Sequence, residues 1–342
     1  MALDLLFVMD PIDRISIDGD STFVMMLEAQ ARGHRVLYAE LRNLELLDGS
    51  PAAYATPVSL RRKRNDHFTL GSPELVRLDD MAAVFMRKDP PFDVEYLVST
   101  WVLDRVDRKK VVLVNDPRGL RDSNEKLFAL AFPGLSPRTL IARDQKRLRA
   151  FIDELGDCVV KPLTLAGGAG VIRLLRGDRN TGSVLDLLTQ EGRVAIAAQA
   201  YIPAVAEGDR RILLIDGEPV GVVNRRPQAN DLRSNMHVGG TPEKASLTER
   251  DREICRAVGP ELRSRGLAFV GIDVIGGWLT EINVTSPTGI QEINRFDGSR
   301  IEADLIDWVE ARHRSLTYAE GAAGRRDSLP PDLSATSFDP KV

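Results

Sequence analysis

The stretch Phe269 to Gly289, FVGIDVIGGWLTEINVTSPTG, sets Asp273, Glu281 and Asn283 inside runs of Val, Ile, Leu and Trp. Such runs read as two buried strands joined at Gly276-Gly277, an antiparallel hairpin whose glycines can take positive φ. Burying an uncompensated carboxylate costs several kcal/mol, so acids in this setting need a cation, basic side chains or a proton. Glu281 and Asn283 are two apart on one strand and project from the same face. Two carboxylates and an amide oxygen are hard donors, suited to Mg²⁺ or Mn²⁺ bridged to phosphate and not to Zn²⁺. That points to metal-assisted phosphoryl chemistry, against the plainer reading of salt-bridged strand acids at a domain edge. Thr285-Ser286-Pro287-Thr288-Gly289 follows directly, with hydroxyls and backbone amides of the kind that hold a carboxylate or phosphate, and favours the first reading.

The metal reading has a geometric consequence. Opposed residues in an antiparallel pair share a face, so Asp273 meets Glu281 only if residue numbers across the hairpin sum to an even value. A plain two-residue turn pairs Ile275 with Trp278 and separates the acids. A three- or five-residue loop, or a glycine bulge, is therefore expected.

Upstream elements must deliver a nucleotide to this hairpin. Cys158 to Lys161 reads as a strand ending on a lysine, followed by Thr164-Leu165-Ala166-Gly167-Gly168-Ala169-Gly170 and a second strand, Val171 to Leu175. A glycine loop between strands can lay backbone N–H groups over phosphates. It is no Walker loop, because no Gly-Lys-Ser/Thr follows, and a dinucleotide fingerprint would need a helix straight after the glycines. In the apolar strand Val194 to Ile202, Gln199 and Tyr201 suit an adenine-contacting hinge. Arg225 to Gly240, RRPQANDLRSNMHVGG, is polar and aperiodic, a length more often used as a lid than as filler. The chain begins with a β-α-β pattern, strand Leu3 to Met9, helix Thr22 to Arg32 capped by Asp20 or Ser21, and strand Val36 to Glu40, which predicts a parallel sheet. The run Arg61 to Arg64 reads as a solvated turn, and Arg87 to Asp93 as a substrate-facing loop at a strand end.

Composition sets the limits. The chain has 342 residues, enough for two or three subdomains. A formal net charge of −4 leaves no nucleic-acid footprint, and no apolar run approaches bilayer length, so neither nucleic acid nor membrane is an expected partner. With two cysteines, Cys158 and Cys255, no disulfide framework is expected and a reducing cytoplasm is the expected location.

The order of these parts resembles the ATP-grasp ligases, and among them the bacterial glutathione synthetases. The matching stretches are MDPIDRISIDGDSTF, LEAQARGH, FMRKDPPFD, NEKLF, VVKPL, GDRRILLIDGEPVG, RSNM, GIDVI and LTEINVTSPTGI, spread from Met9 to about Ile293. The resemblance implies an α/β chain with an ATP-grasp fold behind an N-terminal parallel-sheet domain. Its parts would be a substrate-side domain (1–120), a central subdomain with the glycine hairpin (121–200), a C-terminal subdomain with lid and metal site (201–315) and a disordered tail (316–342). It implies ATP and Mg²⁺ or Mn²⁺ as cofactors, and ligation of γ-glutamylcysteine with glycine through an acyl phosphate, in an expected homo-oligomer. Lys126 and Lys161, with Gly167, Gly168 and Gly170, would hold ATP phosphates. Gln199, Tyr201 and Ile202 would meet the adenine, and Glu207 or Asp209 the ribose. Arg211 and Arg225 would offset charge on the transferring phosphoryl group, and Arg233 would close the lid. Asp273, Glu281 and Asn283 would hold the metal; Arg87, Ser286 and Thr288 would grip the substrate.

Three rival readings remain at this stage: a ligase of the same fold acting on another acid and amine, a non-catalytic nucleotide-binding regulator, and an oxidoreductase resting on the glycines alone. The second draws on Leu165 and Ala166, which stand where the family has glycine and a small or polar residue, so easy access to positive φ is expected to be lost at that point.

Overall fold

A computed structural model describes residues 2–228 and 240–327. The chain enters on β1 (Asp4–Met9), crosses over through α1 (Ser21–Ala31) and returns on β2 (Arg35–Ala39), parallel to β1. The apolar run LLFVM of β1 is buried throughout, as expected of a parallel strand covered on both faces. Asp20 caps α1, its carboxylate accepting from Phe23 N at 2.7 Å.

An antiparallel flap of β3 (Leu44–Leu47), β4 (Ser50–Leu60), β5 (Phe68–Leu70) and β6 (Glu74–Arg77) follows. Then come β7 (Ala83–Arg87), α2 (Val94–Leu103), β8 (Val112–Val114) and α3 (Pro117–Asp122). The sheet runs β3-β4-β2-β1-β7-β8, with β5 and β6 on β4. The basic run lies in the turn between β4 and β5, where Lys63 pairs with Asp66 at 2.8 Å and Arg64 with Asp18 at 2.9 Å.

After α4 (Glu125–Phe128), a four-stranded antiparallel sheet in the order β11-β10-β12-β9 is built from β9 (Thr139–Ala142), β10 (Asp157–Pro162), β11 (Ile172–Leu175) and β12 (Ile196–Ala200). The amphipathic helices α5 (Gln145–Leu155) and α6 (Thr181–Thr189) cover it. The last sheet, β15-β14-β13-β16-β17, comprises β13 (Asp209–Ile215), β14 (Glu218–Arg226), β15 (Thr241–Lys244), β16 (Phe269–Ile275) and β17 (Trp278–Asn283). Helix α7 (Glu249–Ser264) precedes its final hairpin, and α8 (Ile290–Asp297) and α9 (Ile301–Asp327) follow it.

The cores do not divide into three. Leu148, Ile152, Val160, Leu174, Leu185 and Ile196 form a separate interior under the four-stranded sheet. The first and last sheets share theirs: Leu6, Val8 and Val84 cluster with Ile212, Val270 and Ile272, while Phe7 and Phe85 cluster with Leu213, Phe269 and Ile301. Asn115 joins them by hydrogen bonds, its amide donating to Phe269 O (2.8 Å) and Val284 O (2.7 Å) and its oxygen accepting from Phe269 N (2.8 Å). The four-stranded unit is thus a body with its own core, mounted on a larger continuous one.

Helix α9 continues to Asp327, past the boundary expected at 316. Leu316 packs against the second cluster, and the Ala, Glu and Arg that follow are good helix formers despite the intervening glycines. Residues 328–342 of the expected tail lie outside the described residues.

Candidate active site

The turn of the hairpin between β16 and β17 is tight. Ile275 pairs with Trp278, and Gly276 (φ 55°) and Gly277 (φ 79°) take the positive dihedrals of a two-residue loop. The even register comes instead from β17: Val274 pairs with Leu279 and Asp273 with Glu281, leaving Thr280 as the extra residue. Thr280 is buried, and its hydroxyl donates to Asp273 O at 3.1 Å. The expected bulge is present, but neither a longer loop nor a glycine makes it.

Asp273 is surrounded by cations. Its Oδ1 accepts from Arg211 Nε at 2.5 Å, its Oδ2 accepts from Arg211 at 2.9 Å and from Asn283 Nδ2 at 3.2 Å, and Arg225 lies 3.0 Å from Oδ1. Arg225 also donates to Asp209 at 2.5 Å. Burial works against the Asp273 charge, yet the two guanidinium groups outweigh it and hold the carboxyl well below the usual range. Arg211 reaches onward as well, donating to Thr288 O at 3.2 Å. A buried charge network thus joins the hairpin, β13, β14 and the loop after β17.

Two buried lysines face this network from other elements. Lys161, at the end of β10, donates to Gln199 Oε1 at 3.0 Å and lies 3.8 Å from Glu281. Lys126, in α4, donates to Glu125 and to Leu165 O, the latter at 2.8 Å. Burial opposes its charge, but Glu281 and Glu125 raise its pKa above the ordinary value. Asn124 fixes this corner by capping α4 and donating to Leu163 O at 2.8 Å. Glu125 feels the converse. Burial, then the neighbouring Glu281 carboxylate, push its carboxyl up to about 7.

These groups line a cleft between the four- and five-stranded sheets. Its lining combines apolar Val159, Val171, Ile202, Val205 and Ile275 with the lysines, arginines and acids. The hairpin between β10 and β11 contributes Leu165 through Ala169. A second cleft continues from it, lined by Asp89, Pro90, Pro91 and Thr285 through Thr288. A cleft with both apolar and cationic walls, sharing a wall with a second chamber, suits a nucleotide whose phosphates meet a second reactant.

Residues 3–121 match the N-terminal domain of the prokaryotic glutathione synthetases, and residues 125–298 match the ATP-grasp domain of the same family. The chain belongs to this family. The glutathione synthetase of Agrobacterium fabrum is 49% identical over 310 residues, covering 91% of this chain and 97% of that one. That of Brucella melitensis is 49% identical over 312 residues (91% and 100%), and that of Synechococcus elongatus 46% over 318 (90% and 98%). Among solved structures, the D-cycloserine synthetase DcsG is similar with a TM-score of 0.62 at 15% identity, covering 90% of this chain and 99% of that one. The ATP-grasp ligase PsnB, complexed with a minimal precursor, gives 0.60 at 19% (91% and 99%). These distant likenesses show the ATP-grasp fold. Prokaryotic glutathione synthetases are ATP-dependent ligases, working with ATP and a divalent metal.

Of the residues this family resemblance singles out, Lys126, Lys161, Gly167, Gly168, Gln199, Tyr201, Ile202, Asp209, Arg211, Arg225, Asp273, Glu281 and Asn283 line the first cleft, and Ser286 and Thr288 the second. Several of these, and the residues outside the lining, have further engagements. Gln199 spends its side chain on Lys161 and on Thr139, to whose hydroxyl it donates at 2.9 Å, so it orients the lysine. Glu207 is exposed outside the cleft lining, and Asp209 is held by Arg225. Gly170 lies behind the hairpin, where an added Cβ would meet Pro162 Cγ at 2.7 Å. Arg87 is buried behind the substrate loop, donating to Pro287 O at 2.9 Å and to Thr22 Oγ1 at 3.1 Å. Arg233 lies outside the described residues, as does most of the expected lid. The strain expected at Leu165 is not present. Its φ is not positive; Gly167 (68°), Gly168 (77°) and Gly170 (71°) take the left-handed positions. Sequence reading passed over Glu125 and Thr280, the first because an acid opening a helix reads as an ordinary cap partner.

Proposed function

We propose that the two clefts together join γ-glutamylcysteine to glycine at the expense of ATP, giving glutathione, ADP and phosphate. The observation that carries this reading is the continuity of the clefts. The lysines and glycine hairpin that suit phosphates open, across Arg211 and Asn283, onto the hydroxyl-bearing loop that suits a carboxylate. A carboxylate is a poor acyl donor. Transfer of the γ-phosphoryl group to the cysteinyl carboxylate makes an acyl phosphate; the glycine nitrogen then forms the C–N bond as the C–O bond to phosphate breaks.

Each wall has a part in this. Lys126 and Lys161 neutralise phosphate oxygens, and Arg211 and Arg225 meet charge that develops on the moving phosphoryl group. The hairpin from Leu165 to Gly170 covers the site against water, and the four-stranded unit, with its own core, can approach without opening another. Arg233 and the stretch 225–240 would complete the cover. Ser286 and Thr288 would hold the substrate, with Arg87 bracing their loop from behind.

A divalent ion fits the donors present. Glu281 and Asn283 supply hard oxygens on one face beside Asp273, and Glu281 is paired with no guanidinium among the described residues, only facing Lys161 at 3.8 Å. Mg²⁺ or Mn²⁺ would be held there, neutralising phosphate charge when bound. The same reading includes small-molecule partners only, a cytoplasmic location and a homo-oligomer. Among the described residues no helix is long and apolar enough to cross a membrane.

The test is ADP and phosphate release with γ-glutamylcysteine plus glycine, set against other acid and amine pairs, with and without EDTA. Turnover confined to the named pair and abolished by EDTA is the expected result; preference for another pair would move the assignment within the ligases.

A further inference from the structure

The wall common to both clefts consists of Glu125, Arg211, Asn283 and the hairpin residues around Gly167. Glu125 is the one acid in it among the described residues. Its side chain is 14% exposed, and Lys126, which donates to it, also holds the hairpin carbonyl of Leu165. The other two acids of the corner are differently engaged. Asp273 is bound by Arg211 and Arg225, and Glu281 faces Lys161. Glu125 therefore presents its carboxyl at the point where the clefts join, beside the Lys126 ammonium; burial, then Glu281, push that carboxyl up to about 7, so a second cation there favours its ionised form.

Three groups must meet at this junction in a ligase: a phosphoryl group, a carboxylate and an amine. The first two are anionic and find Arg211. The third arrives as a primary ammonium and needs an acceptor of opposite charge that is not already paired to a guanidinium. We propose that Glu125 is the acceptor-amine subsite, its carboxylate receiving the ammonium of the incoming amino acid at the mouth shared by the two clefts. Glu125 makes no covalent bond; it recognises and places the nitrogen. This rests on the ligase reading above, and its test separates the two.

Glu125→Gln and Glu125→Asp in the full chain are compared with wild type using glycine and, separately, hydroxylamine. Hydroxylamine is a neutral nucleophile that traps the acyl phosphate as a hydroxamate without needing ammonium recognition. Removing a charge-assisted hydrogen bond from a buried site weakens binding about tenfold or more. Glu125→Gln is expected to raise the glycine KM by about that factor, with hydroxamate formation and the ATP KM close to wild type, and Glu125→Asp to recover part of the glycine affinity. If glycine and hydroxylamine activities fall together, or the ATP KM rises in parallel, Glu125 serves Lys126, the metal or the fold and the proposal is overturned. An unchanged glycine KM overturns it too. Should Glu125→Gln fail to fold, Glu125→Asp decides: a raised glycine KM with hydroxamate formation intact supports the subsite, and equal losses reject it. A wild-type chain yielding neither glutathione nor hydroxamate would remove the ligase reading and this subsite with it.

Discussion

Asp273 stands opposite Glu281 across the β16–β17 hairpin because β17 has one residue more than its partner at Thr280. The acids share a face and have different partners. Asp273 is held by two arginines, one of which it shares with Asp209, while Glu281 lies 3.8 Å from Lys161 and is more open to the cleft.

Glu281→Gln should separate chemistry from stability. The change keeps volume and removes one anionic donor from the cleft, so kcat should fall by orders of magnitude. Thermal unfolding followed by circular dichroism should give a midpoint close to wild type. Full turnover in the variant would refute the metal role.

Asp273→Asn should instead cost the fold. Arg211 and Arg225 are buried, and removing the shared partner of a buried ion network costs about 3–5 kcal/mol. The pH dependence has a definite sign. A carboxyl whose folded pKa is depressed contributes stability above its unfolded value, about 3.9, and loses it as pH falls through the lower folded value. The denaturant midpoints of wild type and variant should therefore differ from pH 7 down to about pH 4 and converge only in stronger acid. Convergence already at pH 6 would contradict the pairing.

In the glycine hairpin, Gly170→Ala and Gly167→Ala should differ. Each forces alanine into positive φ, worth on the order of 1 kcal/mol, but only at Gly170 does the new Cβ run into Pro162. The ATP KM should rise several-fold for Gly170→Ala and less for Gly167→Ala. Leu165→Gly, at a position without positive φ, should leave it nearly unchanged. Equal effects at the two glycines would show that packing against Pro162 does not hold the hairpin.

The two thiols should be silent in the native protein. Burial pushes both Cys158 and Cys255 up to about 12. An aromatic disulfide reagent at pH 8 should titrate neither cysteine in the folded chain and both in denaturant, because the thiolate is the reactive species. Rapid native labelling of either would contradict its burial.

What the sequence determined by itself is local. The strand composition, the two turn glycines, the cap at Asp20, the lysine that ends β10 and the family stretches can all be read within a few residues, because period, φ preference and capping act at that range. They sufficed for the fold class and for most of the cleft lining. The tertiary structure decided which partner each group has. Whether Asp273 faces metal or guanidinium depends on Arg211, 62 residues away, and the orienting role of Gln199 depends on Lys161, 38 away. The register depends on where the bulge falls, which strand composition does not encode, since Thr280 alternates as well in a plain ladder. Glu125 reads as a helix-opening acid until α4 packs against β17, and the cores of the first and last sheets read as two until Asn115 and the packed strands join them. Long-range packing chooses among partners that local sequence leaves equally available.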